Sequence, residues 1–331
     1  MLTDVAAREA YHLLLLEFLL QRLGPRLILK GGVNLRLFFG SPRYSQDIDF
    51  DAEPQARDAV RAAIRGALAD SQLRRRCAEM GVGTVEAPER PQKDSETTLR
   101  FKFLLVSSAG VPRNTKVEVS FRPRPPLDTP AEEAAPPALV DRYRSEPARP
   151  RIARRRGRGT SAGHGAEAAP EAEAVEAQAA ESPAVMPLVV PHYRRLPALR
   201  QKIGALALRS EVQARDVFDL GVLADGSAGA IGEADAAELR QALPDSILRK
   251  AAARALEIPY DEYRDKVLYF LDAPDRARVE APEAWEERCL RAAELAEHLL
   301  ALPGPAWVPW YPDEPRPEGR PAAGTDVLAG A

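Results

Sequence analysis

The N-terminal part of the chain alternates between apolar stripes of helical period and short apolar runs. Residues 3–23 carry apolar side chains at helical spacing, with Thr3 placed as the N-cap and Gly24-Pro25 closing the helix. The run from Arg26 to Lys30 ends in two glycines, which predicts a strand that enters a tight turn. The other elements predicted here are helices over 33–39 and 55–81 and strands over 47–51, 97–105 and 115–121.

The pattern changes between residues 122 and 185, where Pro, Ala, Glu and Arg dominate. Such a stretch buries too little apolar surface to offset the entropy of ordering the chain, so we expect a disordered or weakly helical insertion. Helical spacing returns at Leu196 and continues to about Leu300. The helices predicted there cover 198–209, 214–223, 233–242, 245–256, 261–271 and 282–300.

These elements predict an α+β fold in four parts. A small mixed-sheet domain over 1–125 is followed by a low-complexity insertion over 126–185. A helical domain covers 186–302, and a Pro-rich tail with two tryptophans covers 303–331. We expect the tail to pack as extended chain or to stay loose.

Composition narrows the class of protein. The formal net charge is -3 and the pI is near 6, so nucleic acid contacts depend on local patches rather than on overall basicity. Two distant cysteines, Cys77 and Cys289, exclude a disulfide scaffold or a cysteine zinc site and fit a reducing compartment. No signal-peptide pattern or long apolar span is visible, and we therefore expect a cytoplasmic protein with no membrane partner.

Candidate chemistry is concentrated in a glycine turn and the acidic strand that follows it. Gly31-Gly32 opens a helix, where bare backbone N–H groups and the positive end of the helix suit phosphate. Strand alternation puts Asp47, Asp49 and Asp51 on one face. Carboxylates two apart on a strand are typical ligands of Mg²⁺ together with substrate phosphates, and a pair of such ions aligns an in-line displacement.

Other interpretations of these features remain open. Alternating acids also occur on the solvated face of an edge strand, and glycine pairs are common in turns. An EF-hand calcium loop is excluded, because Ala52 stands where the sharp-turn glycine belongs and Pro54 lies within the loop.

The two features together resemble a known family. Leu29–Leu37 and Arg43–Asp51 resemble the AbiEii/AbiGii-type nucleotidyltransferase toxins, within the DNA polymerase beta-like superfamily, whose signature is K-G-G-x-x-L-R-L followed by R-[FY]-S-x-D-I-D-F. The resemblance covers residues 26–51 most closely and extends to 115–121 and 196–225. It implies a nucleotidyltransferase palm domain followed by a helical domain that completes the nucleotide site.

The resemblance also implies roles for individual residues. Asp47 and Asp49 would bind the metal, Mg²⁺ or Mn²⁺, with Glu118 as the third carboxylate from a neighbouring strand. Lys202 and Asp216 would act in catalysis from the helical domain. The residues implied to bind the NTP are Lys30, Gly31, Gly32, Arg36, Ser45, Arg209 and Asp219.

Spacing alone leaves several of these roles open. A single Glu in a strand, such as Glu118, is often simply solvated. Lys202 and Arg209 lie two turns apart on one helical face and could reach the same phosphates. Alternatively, Arg215 and Asp219 form an i, i+4 surface pair while Lys202 is solvated.

Three functions follow from this interpretation. The first is transfer of a nucleoside monophosphate from an NTP to RNA, tRNA-like in kind, by a toxin with an antitoxin partner and a role in abortive infection. The second is the same chemistry on a small molecule. The third is a non-catalytic protein that binds nucleotide or a partner. The basic run Arg149–Arg158 is either an arm that contacts RNA or a solubilising linker.

Overall fold

One mixed sheet organises the N-terminal part of the chain. The computed structural model describes residues 3–106, 110–136, 188–225 and 229–305, and within these ranges eight strands form the sheet. The strands are β1 (Leu27–Lys30), β2 (Ile48–Ala52), β3 (Thr84–Glu86), β4 (Lys93–Ser95), β5 (Thr98–Val106), β6 (Pro112–Ser120), β7 (Pro130–Ala134) and β8 (Val189–Tyr193).

The strand order puts the acidic strand at the centre of the sheet. The order is β3-β5-β6-β2-β1-β8-β7, and β4 pairs with β5 beside this path. Strand β2 is antiparallel to β1 and parallel to β6, and β1 is parallel to β8. Because β2 has partners on both sides, it is not an edge strand. This excludes the interpretation of its acids as the solvated face of an edge strand.

One face of the sheet is covered by helices that form the first hydrophobic core. The buried residues of β2 and β6 between the polar ones, such as Ile48, Phe50 and Val117, belong to this core. At the start of the first helix, Thr3 accepts a hydrogen bond from the backbone N–H of Ala6, as predicted for an N-cap. The helices in this part are α1 (Asp4–Leu23), α2 (Gly31–Phe38), α3 (Arg57–Ala69) and α4 (Ser71–Glu79).

A second hydrophobic core lies among the C-terminal helices. Trp285 stacks on Tyr263 with ring centroids 4.3 Å apart and donates from Nε1 to the carbonyl of Ile258. Helix α2 belongs to both cores, since Val33 and Leu37 pack into the first and Leu35 into the second. The C-terminal helices are α5 (Arg195–Leu208), α6 (Ala214–Asp225), α7 (Glu233–Gln241), α8 (Asp245–Ala255), α9 (Tyr260–Lys266), α10 (Ala273–Val279) and α11 (Pro282–Ala301).

The helical predictions differ from the structure at three points. The helix predicted over 55–81 is two helices, because the side chain of Asp70 accepts from the N–H of Leu73 at 2.8 Å and begins a new helix. The helix predicted over 261–271 ends at Lys266 and is followed by a short 3₁₀ turn. Helix α10, which is seven residues long, was not predicted.

The boundaries of the predicted insertion also differ from the structure. Strand β7 lies inside the predicted insertion, and β8 lies inside the predicted helical domain, yet the two pair antiparallel at one edge of the sheet. The pairing joins segments far apart in sequence, and its buried residues, Ala131 and the run 190–193, give no regular alternation. The short strands β3 and β4 were missed as well. The basic run Arg149–Arg158, the acidic stretch after it and the tail from residue 306 lie outside the described residues.

Within the described part of the chain, no helix is both long and apolar enough to cross a membrane.

A buried histidine connects α1 to the loop that precedes the acidic strand. His12 is 1% exposed, and its Nε2 lies 2.8 Å from the hydroxyl of Thr115 in β6. That hydroxyl has one proton and donates it to the carbonyl of Gln46 at 2.9 Å, so His12 donates from Nε2. Burial, with a smaller effect of the Arg8 charge, lowers the pKa of His12 to about 3.

We expect this histidine to make folding less favourable as the pH falls from about 7 to about 5. The unfolded chain protonates the imidazole below about pH 6.5, whereas in the folded protein the pKa of His12 is about 3. The unfolded state therefore binds more protons in this window, which lowers the free energy of unfolding by up to about 1.4 kcal/mol per pH unit. His12→Gln should remove this contribution in urea unfolding measured across the window.

The matched control is His298→Gln, because His298 is exposed on α11. The control should keep the pH slope of the parent protein. An equal slope in the parent and in His12→Gln would contradict the role assigned to the buried imidazole.

Candidate active site

A row of charged side chains runs across the middle of the sheet on the face opposite the first core. The register pairs Lys30 with Asp49, Asp49 with Glu118 and Glu118 with Arg100. Directly paired residues of neighbouring strands point to the same side of a sheet. The sheet therefore brings together Asp49 and Glu118, two of the three carboxylates predicted to bind metal.

The ammonium of Lys116 lies among all three predicted metal ligands. Its Nζ is 3.4 Å from Oδ2 of Asp47, 3.9 Å from Oδ1 of Asp49 and 3.3 Å from Oε2 of Glu118. Glu118 also accepts a hydrogen bond of 2.5 Å from Nε of Arg100. The three carboxylates thus share one cation, and Glu118 has a second one of its own.

Burial and charge shift the protonation of this cluster in different directions. Burial, with the negative charge of Asp49, raises the pKa of Asp47 against the opposing effect of Lys116. Burial also tends to raise the pKa of Glu118, but the hydrogen bond from Arg100 and the charge of Lys116 outweigh it, and this pKa is lowered. For Lys116, burial is outweighed by the three carboxylates, which raise its pKa and keep it charged.

The glycine turn is packed directly against these carboxylates. Gly31 has φ +70°, and a Cβ at this position would lie 2.8 Å from Oδ2 of Asp49. A Cβ at Gly32 would lie 2.6 Å from Oγ of Ser45 and 3.1 Å from Nη2 of Arg43. Both positions thus need glycine to let the backbone approach the polar side chains. The hydroxyl of Ser45 in turn donates to the carbonyl of Asp47 at 2.7 Å.

Behind the glycine turn, two fully buried aspartates of α6 hold a cluster of cations. Asp219 accepts two hydrogen bonds of 2.9 Å from Nη2 of Arg43, one on each oxygen, and lies 2.5 Å from Nζ of Lys202. Asp216 lies 3.3 Å from the same ammonium and 2.7 Å from Nε of Arg209. Burial tends to raise the pKa of Asp219, but Arg43 and Lys202 lower it. Arg43 therefore connects the glycine turn to the residues predicted from the helical part.

The alternative of a surface pair between Arg215 and Asp219 is excluded, because Asp219 is completely buried against other cations. Arg215 points instead toward the acidic strand, with Nη1 4.0 Å from Oδ2 of Asp47. Helix α6 therefore contributes residues to two parts of the site. Its two aspartates are buried behind the glycine turn, and its Arg215 lies near the predicted metal ligands.

Two predicted nucleotide-binding residues have other contacts. Lys30 pairs with Asp51, which also accepts a hydrogen bond of 2.6 Å from the hydroxyl of Tyr193. Arg36 lies 2.7 Å from Oε1 of Glu9 and stacks over the ring of Tyr44, with its Cζ 4.3 Å from the ring centroid. These two contacts of Arg36 are with the first part of the chain.

The prediction from sequence missed three cations of the site, namely Arg43, Lys116 and Arg215. Arg43 opens the R-[FY]-S-x-D motif, so its position in the signature was the available signal. Lys116 precedes Glu118 by two residues and shares its face of the strand, which strand alternation could have indicated. For Arg215 the neighbouring Asp219 suggested a local partner instead, and no sequence signal pointed to Asp47.

The chemistry of Asp47 and Asp49 fits a divalent cation. Among the described residues, no three His, Cys, Asp or Glu side chains are grouped so that they could hold a metal ion by themselves. Mg²⁺, however, is usually bound by one or two carboxylates together with substrate phosphates. Asp47 and Asp49 already face one cation, the ammonium of Lys116, and they lie beside a turn suited to phosphate. The two aspartates therefore supply the protein part of such a site.

One family model matches part of the chain. Residues 13–155 match the family model of the nucleotidyl transferase AbiEii toxin of type IV toxin–antitoxin systems. A search of curated proteins found no match.

Two solved structures cover most of the chain at low identity. JHP933 from Helicobacter pylori is 14% identical with a TM-score of 0.45, and the match covers 91% of this chain and 94% of that protein. MenT4, a nucleotidyltransferase toxin from Mycobacterium tuberculosis, is 16% identical with a TM-score of 0.44, and the match covers 90% of this chain and 88% of that protein.

The matched segment includes the glycine turn, the acidic strand β2 and strand β6, which together carry the predicted site. Over this segment, which is less than half of the chain, the sequence is similar to the AbiEii nucleotidyltransferase toxin family, and the chain is a nucleotidyltransferase.

Proposed function

We propose that the protein transfers a nucleoside monophosphate from an NTP to a hydroxyl group of RNA, with tRNA-like molecules as the acceptor class. The reaction requires Mg²⁺ or Mn²⁺ and serves as the toxin activity of a cytoplasmic toxin–antitoxin pair. The observation that carries this proposal is the packing of Asp49 against Gly31. It supports a site in which metal-binding carboxylates and a phosphate-binding turn are in direct contact.

The glycine turn binds the triphosphate. It forms the first turn of α2, where backbone N–H groups lack partners within the helix and the helix dipole favours negative charge. Without side chains at Gly31 and Gly32, phosphate oxygens can approach these groups closely. Ser45 lies at the same turn and keeps the chain before Asp47 in place through its hydrogen bond to the Asp47 carbonyl.

Asp47 and Asp49 would hold the metal, with Glu118 as its third carboxylate. A divalent ion held there would supply positive charge to offset the negative charge of the reacting phosphate. Glu118 is paired with Arg100 and Lys116, so its participation requires it to exchange at least one of these partners. Asp47 and Asp49 also face the ammonium of Lys116, so metal binding by all three carboxylates involves an exchange of cations.

The helical part supplies positive charge for the leaving pyrophosphate. Lys202 is 12% exposed and is held by Asp216 and Asp219, while Arg209 is 37% exposed and held by Asp216 alone. Both cations are thus positioned before substrate arrives, which lowers the reorganisation needed in the transition state. Asp219 itself is completely buried, and we assign it a positioning role through Lys202 and Arg43.

We expect Asp49→Asn to abolish label transfer from an α-phosphate-labelled NTP. The substitution preserves the shape of the side chain but removes one negative charge from the metal site. Metal assistance is worth several kcal/mol, so the rate should fall by about a hundredfold or more. The measurement is incorporation of label into total RNA in the presence of Mg²⁺, with each of the four NTPs tested separately.

The control is Asp58→Asn, because Asp58 is highly exposed on α3 and pairs with Arg61 of the same helix rather than with the residues of the site. This variant should label RNA as the parent does. Equal labelling by Asp49→Asn and the parent would show that the assigned site is wrong. Label found only in a small molecule would replace RNA as the acceptor, and nucleotide binding without any transfer would indicate a non-catalytic protein.

We expect Gly31→Ala to impair transfer by a route independent of charge. The added methyl group would meet Oδ2 of Asp49 at 2.8 Å and displace the carboxylate. It would also cost about 1–2 kcal/mol of stability because of the positive φ. The measurements are the Michaelis constants for the NTP and the thermal melting temperature.

Gly24→Ala separates the two effects. Gly24 has φ +53°, but a Cβ there meets nothing within 4 Å, so only the backbone strain is reproduced. Both variants should therefore lose similar stability, whereas only Gly31→Ala should lose activity. A Gly31→Ala protein as active as Gly24→Ala would show that the close approach to Asp49 is not required.

A further inference from the structure

The ammonium of Lys116 occupies the position where a cation between Asp47 and Asp49 would be expected. Lys116 is the described cation that contacts all three carboxylates, at 3.4 Å, 3.9 Å and 3.3 Å from Asp47, Asp49 and Glu118. Its side chain is 19% exposed, so it is enclosed by the site and not extended into solvent. Among the described residues, Lys116 supplies the cation that lies within 4 Å of Asp49.

The carboxylates are already neutralised by the side chains around them. Besides Lys116, Arg100 is paired with Glu118, and Arg215 lies 4.0 Å from Asp47. Three carboxylates thus face three cations. A free divalent ion entering this neutral site would add two positive charges and would meet the ammonium at short range. An NTP that enters together with the metal brings negative charge, which offsets the repulsion between the metal ion and the ammonium of Lys116.

We propose that Lys116 makes metal binding depend on nucleotide binding. In the free enzyme its ammonium neutralises Asp47 and Asp49 and disfavours a divalent ion there. When a triphosphate occupies the glycine turn, the flexible side chain of Lys116 moves from the carboxylates to phosphate oxygens, and the aspartates are released for the metal. Lys116 is then a positioning residue for the metal ligands. This inference rests on the function proposed above.

The other two cations near the carboxylates, Arg100 and Arg215, are not placed to control access of a metal ion to both aspartates. Arg100 contacts Glu118 but neither aspartate, so its movement would not release the aspartates. Arg215 lies at the limit of ion-pair distance from Asp47 and comes from α6 rather than from the sheet. Lys116 alone lies two residues from Glu118 on the strand parallel to β2, facing both aspartates.

The test is the affinity for Mn²⁺, measured by electron paramagnetic resonance of the free ion, with and without a non-hydrolysable NTP analogue. Lys116→Met keeps the length of the side chain and removes its charge. It should bind Mn²⁺ about tenfold more tightly than the parent without nucleotide, a change of about 1.4 kcal/mol. Lys116→Arg keeps the charge and should bind Mn²⁺ as weakly as the parent.

The matched control is Lys102→Met, because Lys102 is directly paired with Lys116 in the sheet but is exposed. It removes the same charge one strand further from the aspartates and should leave Mn²⁺ affinity unchanged. The analogue should raise Mn²⁺ affinity strongly in the parent and much less in Lys116→Met. By linkage, Mn²⁺ should raise the affinity for the analogue by the same factors.

Unchanged or weaker Mn²⁺ binding by Lys116→Met would overturn the proposal, as would equally tight binding by Lys116→Arg. If Lys116→Met does not fold, as judged by thermal melting, Lys116→Gln replaces it with the same expected result. Asp49→Asn distinguishes a wrong metal site from a wrong role for Lys116. If that variant binds Mn²⁺ and the analogue as the parent does, the metal site itself is wrong and not only the role of Lys116.

Discussion

The arrangement of the site depends on one buried ion cluster, in which Asp219 is held between Arg43 and Lys202. Asp219 is completely buried, and an unpaired carboxylate at this depth would cost several kcal/mol. Helix α6 can therefore pack here only when Arg43, from the loop before the acidic strand, is in place. The same contact puts Lys202 at a fixed position relative to the glycine turn. Removing either cation should thus disturb both the packing and the position of the other.

Helix α2, which begins at the glycine turn, extends this coupling because its side chains pack into both hydrophobic cores. Leu35 packs among the C-terminal helices, while Val33 and Leu37 pack under the sheet. Asn34 is buried between these sides and donates to the carbonyl of Tyr193 in β8 at 2.9 Å. Since α2 is held on all sides, the N–H groups of its first turn are oriented before any substrate binds. Such preorganisation is the main source of electrostatic catalysis.

The parts of this arrangement that could be predicted from the sequence are those fixed by local rules. Glycines in a turn and alternation along a strand identified Gly31, Asp47 and Asp49, and helical spacing located most of the helices. The partners across the fold could not be found in this way. Arg215 lies near Asp47 and not beside Asp219, and Arg36 pairs with Glu9, because these choices depend on how distant segments pack. Strand β7 was missed for the same reason, since its partner strand β8 begins only at Val189.

Most cations of the described site are paired with a carboxylate. Lys30, Arg100 and Arg209 each lie against a carboxylate, as do the cations of the buried cluster. Paired charges produce little long-range attraction, which is consistent with the formal net charge of -3. If the acceptor is RNA, as we propose, its recognition would use exchange of these pairs at short range, or the basic run Arg149–Arg158, which lies outside the described residues. The two routes differ in physical character. An arginine-rich arm would give binding that weakens steeply with salt, whereas exchange of buried pairs would depend on shape and much less on ionic strength.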